Sequence, residues 1–241
     1  MHSAAETHLK KIDPVLGRII EQVGPCTLQP HVESTYFQYL LRSIVFQQLA
    51  GAAARTIHDR VMAIYEGRAP APEDVLKTPE RKLRAAGLST QKASYVRDLA
   101  RRSASGELPL HTLDALSDEE ITLALVQVKG IGPWTAQMFL MFRLGRPDIL
   151  PDLDYGVKKA MQIAYRMRKL PNARRMHEIG NAWSPHRTVA TWYLWRSLDL
   201  PGARTKRKPA GKGKMKAKMK AKSKAKSRPG RSALGARQRR K

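Results

Sequence analysis

Val128-Lys-Gly-Ile-Gly-Pro-Trp-Thr-Ala136 is the stretch on which the reading of this chain turns. Gly130 and Gly132 flank one apolar residue, and Pro133 follows where a helix can begin, because its missing N–H is a donor that a first turn leaves free anyway. Glycine adopts positive φ and lets another backbone approach closely, so the spacing predicts a tight turn between two helices. Amides at the start of the second helix then face outward and, with the helix dipole, form an anion site suited to a phosphate. The same residues also serve a plain helix-helix connection, and the motif alone does not separate the two readings.

Outward from the hairpin the chain reads as helices divided by punctuation. Ser117-Asp-Glu-Glu120 is a capping box that starts a helix ending near Val128, and Pro133 restarts one carrying Trp134, Ala136, Met138, Phe139 and Met141. Upstream, Tyr36 to Gln48 spaces Phe37, Leu40, Leu41, Ile44 and Val45 along one helical face, and Ala52 to Tyr65 repeats this with Ile57, Val61 and Ile64. Thr78-Pro79 predicts a cap and first helical position with Gly87 as the stop, and another helix runs from Ser89 or Thr90 to about Ser103. Downstream, helices fit 156–170, 172–183 and 186–198. No stretch sustains period-two alternation, so residues 1–201 are expected to form an all-α domain.

Charge divides the chain differently. Lys and Arg number 45 against 20 Asp and Glu, for a net +25. Eighteen of those bases and none of the acids lie in 202–241, which leaves +7 for residues 1–201. This Lys-rich segment, which includes GKGKMKAKMKAKSKAKSRPGRS, has almost nothing to bury and is expected to be a disordered tail. It resembles linker-histone-like tails that neutralise DNA phosphates without reading sequence, with an inert solubility tail as the plainer alternative. Cys26 is the sole cysteine, which excludes an intrachain disulfide and cysteine-built zinc sites. The first residues lack a signal peptide's apolar region and no later run suits a membrane helix, so a soluble protein of the cytoplasm is expected. No two of His31, His58, His111, His177 and His186 stand at i, i+4, so no divalent-metal cluster is predicted.

Together with the hairpin, Phe46-Gln-Gln-Leu49, Ala86-Gly-Leu-Ser-Thr-Gln-Lys-Ala93, Pro151-Asp-Leu-Asp-Tyr-Gly-Val157 and Trp183-Ser-Pro-His-Arg187 resemble the helix-hairpin-helix DNA glycosylases, in particular the 3-methyladenine glycosylase II branch. The resemblance spans about residues 34–200 and implies a helix-hairpin-helix glycosylase fold of two helical lobes. Longer members have an N-terminal mixed domain, which is not expected here because 35 residues precede the first matching helix. The iron–sulfur cluster of one branch needs four cysteines and is not expected either. Where the bifunctional branch has its Schiff-base lysine this chain has Trp134, which implies hydrolysis without lyase chemistry.

The resemblance also implies roles for individual residues. Gln48 fills the gap left by an extruded nucleotide, with Gln47 and Leu49 beside it, although both glutamines also suit a plain helix end. Asp154 takes the catalytic position, stabilising the developing oxocarbenium charge and orienting water. Its plainer role is to cap the following helix, and Asp152 is the alternative if the register shifts. Trp134, and Tyr155 next to the acid, are the aromatic walls for a cationic purine, with Gln47 also at the base. Trp183, Trp192 and Trp195 are read as core. His186 stands where the family often has an aromatic.

Lys129, the amides of Gly130 and Gly132, and Thr135 are the DNA-backbone residues, and carbonyls of Val126, Val128 and Ile131 are the ligands for a monovalent cation bridging to a phosphate. No other cofactor is expected. The implied activity is excision of 3-methyladenine and 7-methylguanine from double-stranded DNA by a monomer, associated with the nucleoid or, in a eukaryote, the nucleus. A non-catalytic DNA-structure-binding protein and a nucleoid-compacting protein worked by its tail are the alternatives from composition.

Overall fold

The structure, a computed structural model, describes residues 2–201, so the Lys-rich segment from Gly202 and its expected disorder lie outside the described residues. Among the described residues twelve α-helices follow in order: α1 Ser3–Ile12, α2 Pro14–Val23, α3 Tyr36–Phe46, α4 Gly51–Ala63, α5 Pro72–Lys77, α6 Glu80–Ala85, α7 Thr90–Ala104, α8 Asp118–Leu125, α9 Pro133–Phe142, α10 Tyr155–Ala164, α11 Ala173–Gly180 and α12 Arg187–Ser197. Short 3-10 turns occupy Leu110–Ala115 and Asn181–Trp183. Among the described residues there is no strand, and no helix is long and apolar enough to cross a membrane. The all-α expectation therefore holds for this region.

Local chemistry sets the helix starts. Thr35 and Gln38 exchange side-chain bonds with each other's backbone amides at the head of α3, and Ser117 and Glu120 do the same for α8. Ser89 caps α7, Asn172 caps α11, and Pro133 occupies the first position of α9. One start is misread: Thr78 is not a cap, because its hydroxyl donates to Asp74 O and bonds the Tyr65 hydroxyl, and α6 begins at Glu80 with Pro79 in the cap position.

Two apolar cores define two lobes. Leu40, Ile44, Leu99 and Phe139, all fully buried, belong to the first, which α3 to α9 enclose. The second is built on Leu9, Leu16, Trp183 and Tyr193, from α1, α2 and the α10–α12 region. A fully buried side chain of this size contributes about 1.5–3 kcal/mol, so each lobe has its own driving force. Trp195 of α12 packs against both cores.

Asp13 joins the chain's first helices to its last. Its Oδ1 accepts the amides of Val15 (2.8 Å) and Leu16 (3.1 Å), capping α2. Oδ2 accepts the Tyr165 hydroxyl (2.6 Å) and the Trp183 indole N–H (2.9 Å). Burial, reinforced by the adjacent carboxylate, pushes the Tyr165 hydroxyl far above its ordinary pKa. Asp13→Ala would leave a buried indole and a phenol without acceptors, so it is expected to destabilise the fold by about 3 kcal/mol, read from denaturant midpoints. A loss below about 1 kcal/mol would mean that the cap and the two donors are dispensable.

Candidate functional site

The hairpin forms as the glycine spacing predicts. Gly130 stands at φ 81° and Gly132 caps α9 in extended conformation. The constraint at Gly130 is steric as well as conformational, since a Cβ there would come within 2.1 Å of Tyr95 Cδ2. Lys129 exposes its side chain while its amide donates to Asp98 Oδ2 (2.9 Å). Asp98, nearly buried in α7, also receives Arg101 (3.3 Å) and Arg102 (3.2 Å). Burial would raise its pKa, but the Lys129 amide and the two guanidinium groups outweigh that and hold it below the ordinary carboxylate value.

Facing the hairpin, α3 ends at Phe46, two residues earlier than its apolar pattern suggests. Gln47 donates through Nε2 to Gly130 O (2.8 Å), which ties this turn to the hairpin. Gln48 turns into the left-handed region at φ 55° and, like Leu49, is exposed. Lys92 Nζ donates to Val45 O and Gln47 O, both at 2.7 Å. A cavity of about 600 Å³ lies between these elements, lined by Arg42, Gln47, Gln48, Lys92, Tyr95 and Trp134 among others.

Trp134 separates that cavity from a second, of about 490 Å³, which Asp154, Trp195, Met138, Phe142 and Leu28 help to line. Asp154 caps α10 through Oδ1, which accepts Val157 N (2.7 Å). The capping role and a role in the site therefore coexist, because the carboxylate also accepts two indoles: Trp195 Nε1 on Oδ1 (2.9 Å) and Trp134 Nε1 on Oδ2 (2.8 Å). Gly156 leaves room for this clamp, as a Cβ there would lie 3.0 Å from Asp154 Oδ1 and 3.1 Å from Trp195 Nε1. Trp195 is braced by stacking on Phe142, with centroids 5.7 Å apart. An anion in a cleft walled by aromatic faces can stabilise a nearby cation on its open side.

Several expected site residues thus come together: Gln47, Gln48, Gly130, Trp134 and Thr135 at the first cavity, and Trp134 with Asp154 at the second, while Leu49 and Gly132 line neither. Tyr155 does not join them. At the first position of α10 it is 68% exposed and lines neither cavity. Asp152 is also apart, paired with His177 at 3.3 Å. Thr135 is 9% exposed and turns that small part to the first cavity. Trp183 is core, whereas Trp195, read as core, holds the carboxylate, and Trp192 also lines the second cavity. Val128 O accepts Ile131 N (3.0 Å) across the hairpin turn, and a carbonyl so engaged keeps a second lone pair for a cation. Asp98, Tyr95 and Lys92 carried no sequence signal for these roles, since their partners are a backbone amide, a glycine and two carbonyls.

Residues 41–186 match the family described as HhH-GPD superfamily base excision DNA repair protein. DNA-3-methyladenine glycosylase 1 of Schizosaccharomyces pombe is 32% identical over 199 residues, covering 81% of this chain and 87% of its own. The alkylbase DNA glycosidase-like protein mag2 of the same yeast is 29% identical, covering 81% of this chain and 93% of its own. The solved structure of the S. pombe 3-methyladenine DNA glycosylase in complex with abasic DNA superposes with a TM-score of 0.76 at 32% identity, over 85% of this chain and all of that one.

The hairpin's dependence on Asp98 has a defined pH signature. With its carboxyl held below the unfolded value of about 4, its contribution is fully present above that value and is lost as pH falls through the lowered native pKa. The protection of the Lys129 amide, its exchange rate relative to that of an unstructured amide at the same pH, should therefore stay high at neutral pH and fall only in acid. Asp98→Ala should speed exchange about tenfold or more at neutral pH. An unchanged exchange rate in that variant would show that the carboxylate does not hold the hairpin.

Proposed function

The chain belongs to the HhH-GPD superfamily of base excision DNA repair proteins, and from that footing we propose that it is a monofunctional DNA glycosylase that removes alkylated purines such as 3-methyladenine and 7-methylguanine, acting as a monomer on double-stranded DNA. The observation that carries the reading is Asp154, clamped by two indoles beside an open cavity. A purine alkylated at N3 or N7 is cationic, and the exposed Trp134 ring attracts it by about 0.5–2 kcal/mol beyond stacking. The nucleotide must first leave the stack, and the exposed Gln48 at the end of α3, with Leu49 beside it, would fill the gap, a reading its exposure at the first cavity supports.

When the bond between the purine nitrogen and C1′ breaks, its electron pair goes to the base, which departs neutral, and positive charge develops on the sugar. Asp154 opposes that charge and orients a water, whose oxygen bonds to C1′ while its proton leaves to the carboxylate or to solvent. No amine stands at Trp134 to form a Schiff base, so the product is an abasic site and an intact strand. The amides of Gly130 and Gly132, with Lys129, receive a backbone phosphate, and a monovalent cation held by carbonyls of Val126, Val128 and Ile131 would add charge there. The basic segment 202–241 serves as a sequence-independent tether to the same DNA, which places the protein on the nucleoid or in the nucleus.

Asp154→Asn is expected to lower single-turnover release of 3-methyladenine by at least about 10²–10³, or ~3–4 kcal/mol of barrier. The amide keeps a carbonyl for Val157 but turns its NH2 toward an indole donor, so melting curves must accompany the assay. Asp152→Asn, directed at His177, should remain active. Near-wild-type release by a folded Asp154→Asn protein would refute the catalytic role. Removing residues 202–241 should leave the chemistry intact at low salt while flattening the dependence of DNA affinity on salt, since fewer counterions are released. An identical slope for the truncated protein would remove the tether role.

A further inference from the structure

The turn that presents Gln48 is held by a side chain that none of the roles above uses. At the end of α3 the last carbonyls lose their helical donors, a problem often solved by a glycine in left-handed conformation. Here a non-glycine residue, Gln48, takes that conformation at φ 55°. Lys92 reaches across from the first turn of α7 and donates to Val45 O and Gln47 O at 2.7 Å. A cation is well placed at a helix C-terminus, and the two carbonyls offset the cost of partly burying it. Among the described residues Lys92 has no carboxylate partner, so its ammonium is committed to these carbonyls.

The next residues on the same face of α7 hold the hairpin. Tyr95, one turn on, lies under Gly130, and Asp98, almost two turns on, accepts the Lys129 amide. Gln47 closes the circuit by donating to Gly130 O. Releasing the Gln47 carbonyl would therefore loosen both the left-handed residue and its link to the hairpin. We propose that Lys92 is a positioning residue for nucleotide extrusion, gripping the α3 carbonyls so that Gln48 stands fixed at the cleft relative to the phosphate-binding hairpin.

This inference rests on the glycosylase reading, and its test separates the two. Full-length wild type, Lys92→Met, Gln48→Ala and the double variant are compared in single-turnover release of 3-methyladenine from paired, mismatched and single-stranded DNA, with melting curves. Lys92→Met should lose about tenfold on the paired lesion, less on the mismatched one and under about twofold on the single strand, where nothing need be unstacked. Because it acts through Gln48, the double variant should be little worse than Gln48→Ala alone. Equal losses on all three substrates, or fully additive losses, would overturn the proposal.

If wild type releases no base, the glycosylase reading fails, and the preference for abasic over intact duplex then decides the Lys92 role alone. That preference should fall about tenfold in Lys92→Met, and an unchanged preference would overturn it. Should Lys92→Met unfold early, Lys92→Gln, which keeps donors without charge, is judged by the same criteria and should show a smaller loss in the same substrate order.

Discussion

Asp154 stands where the two lobes meet, and its oxygens are satisfied by donors from both of them. Trp134 comes from α9 in the first lobe, while Trp195 and the Val157 amide come from α12 and α10 in the second. Hydrogen bonds to a charged group contribute about 1.5–3 kcal/mol each, and here they tie α9 of one lobe to α10 and α12 of the other through a single carboxylate. The charge is thereby oriented before any ligand arrives, which is the condition under which a fixed carboxylate is most effective. The stack of Trp195 on Phe142 carries the same restraint into the first core.

The opposite wall of the cleft is organised by one face of α7. Lys92, Tyr95 and Asp98 touch the end of α3 and both sides of the hairpin turn, so elements distant in sequence share one rigid support. Much of the holding is done by side chains bonded to backbone. A main-chain partner can keep its position while the residue that bears it changes, so Lys92 and Asp98 leave the side chains at 45, 47 and 129 unspecified, whereas Tyr95 admits only glycine at 130.

Helix starts were legible where the chemistry is local: Ser89 and Ser117 bond amides within a turn of themselves, and Pro133 takes a first position that needs no N–H. Helix ends were read too long because non-glycine residues take the left-handed turn that a glycine usually marks. The first lobe's α3 stops at Phe46, two residues before Gln48 turns to φ 55°, and α10 stops at Ala164, two residues before Arg166 turns to φ 52°. Thr78 was misread because its hydroxyl is drawn to Tyr65 and Asp74. In the site, Trp134, Asp154 and the glutamines were legible as parts of ordered motifs. Tyr155 lines neither cavity because adjacency in sequence is not adjacency in space at a helix start, and Trp195 packs on both cores as its apolar neighbours suggest, while its bond to Asp154 joins positions too far apart for the sequence to show. The contribution of α1 and α2 to the second core went unread, since only the folded chain brings Leu9 and Leu16 beside Trp183.

The second lobe is assembled from both ends of the described chain. Asp13 bonds Trp183 across 170 positions, and Glu6 accepts the Tyr193 hydroxyl across 187. The first lobe, in contrast, is contiguous from α3 to α9. Contacts over such separations form only after long loops have closed, whereas a chain leaving the ribosome can order a contiguous unit as soon as that unit has emerged. The hairpin side can therefore order before the chain is complete, whereas α1 and α2 need α12 to close their core. Since α12 also carries Trp195, the carboxylate clamp is the last part of the cleft to be completed.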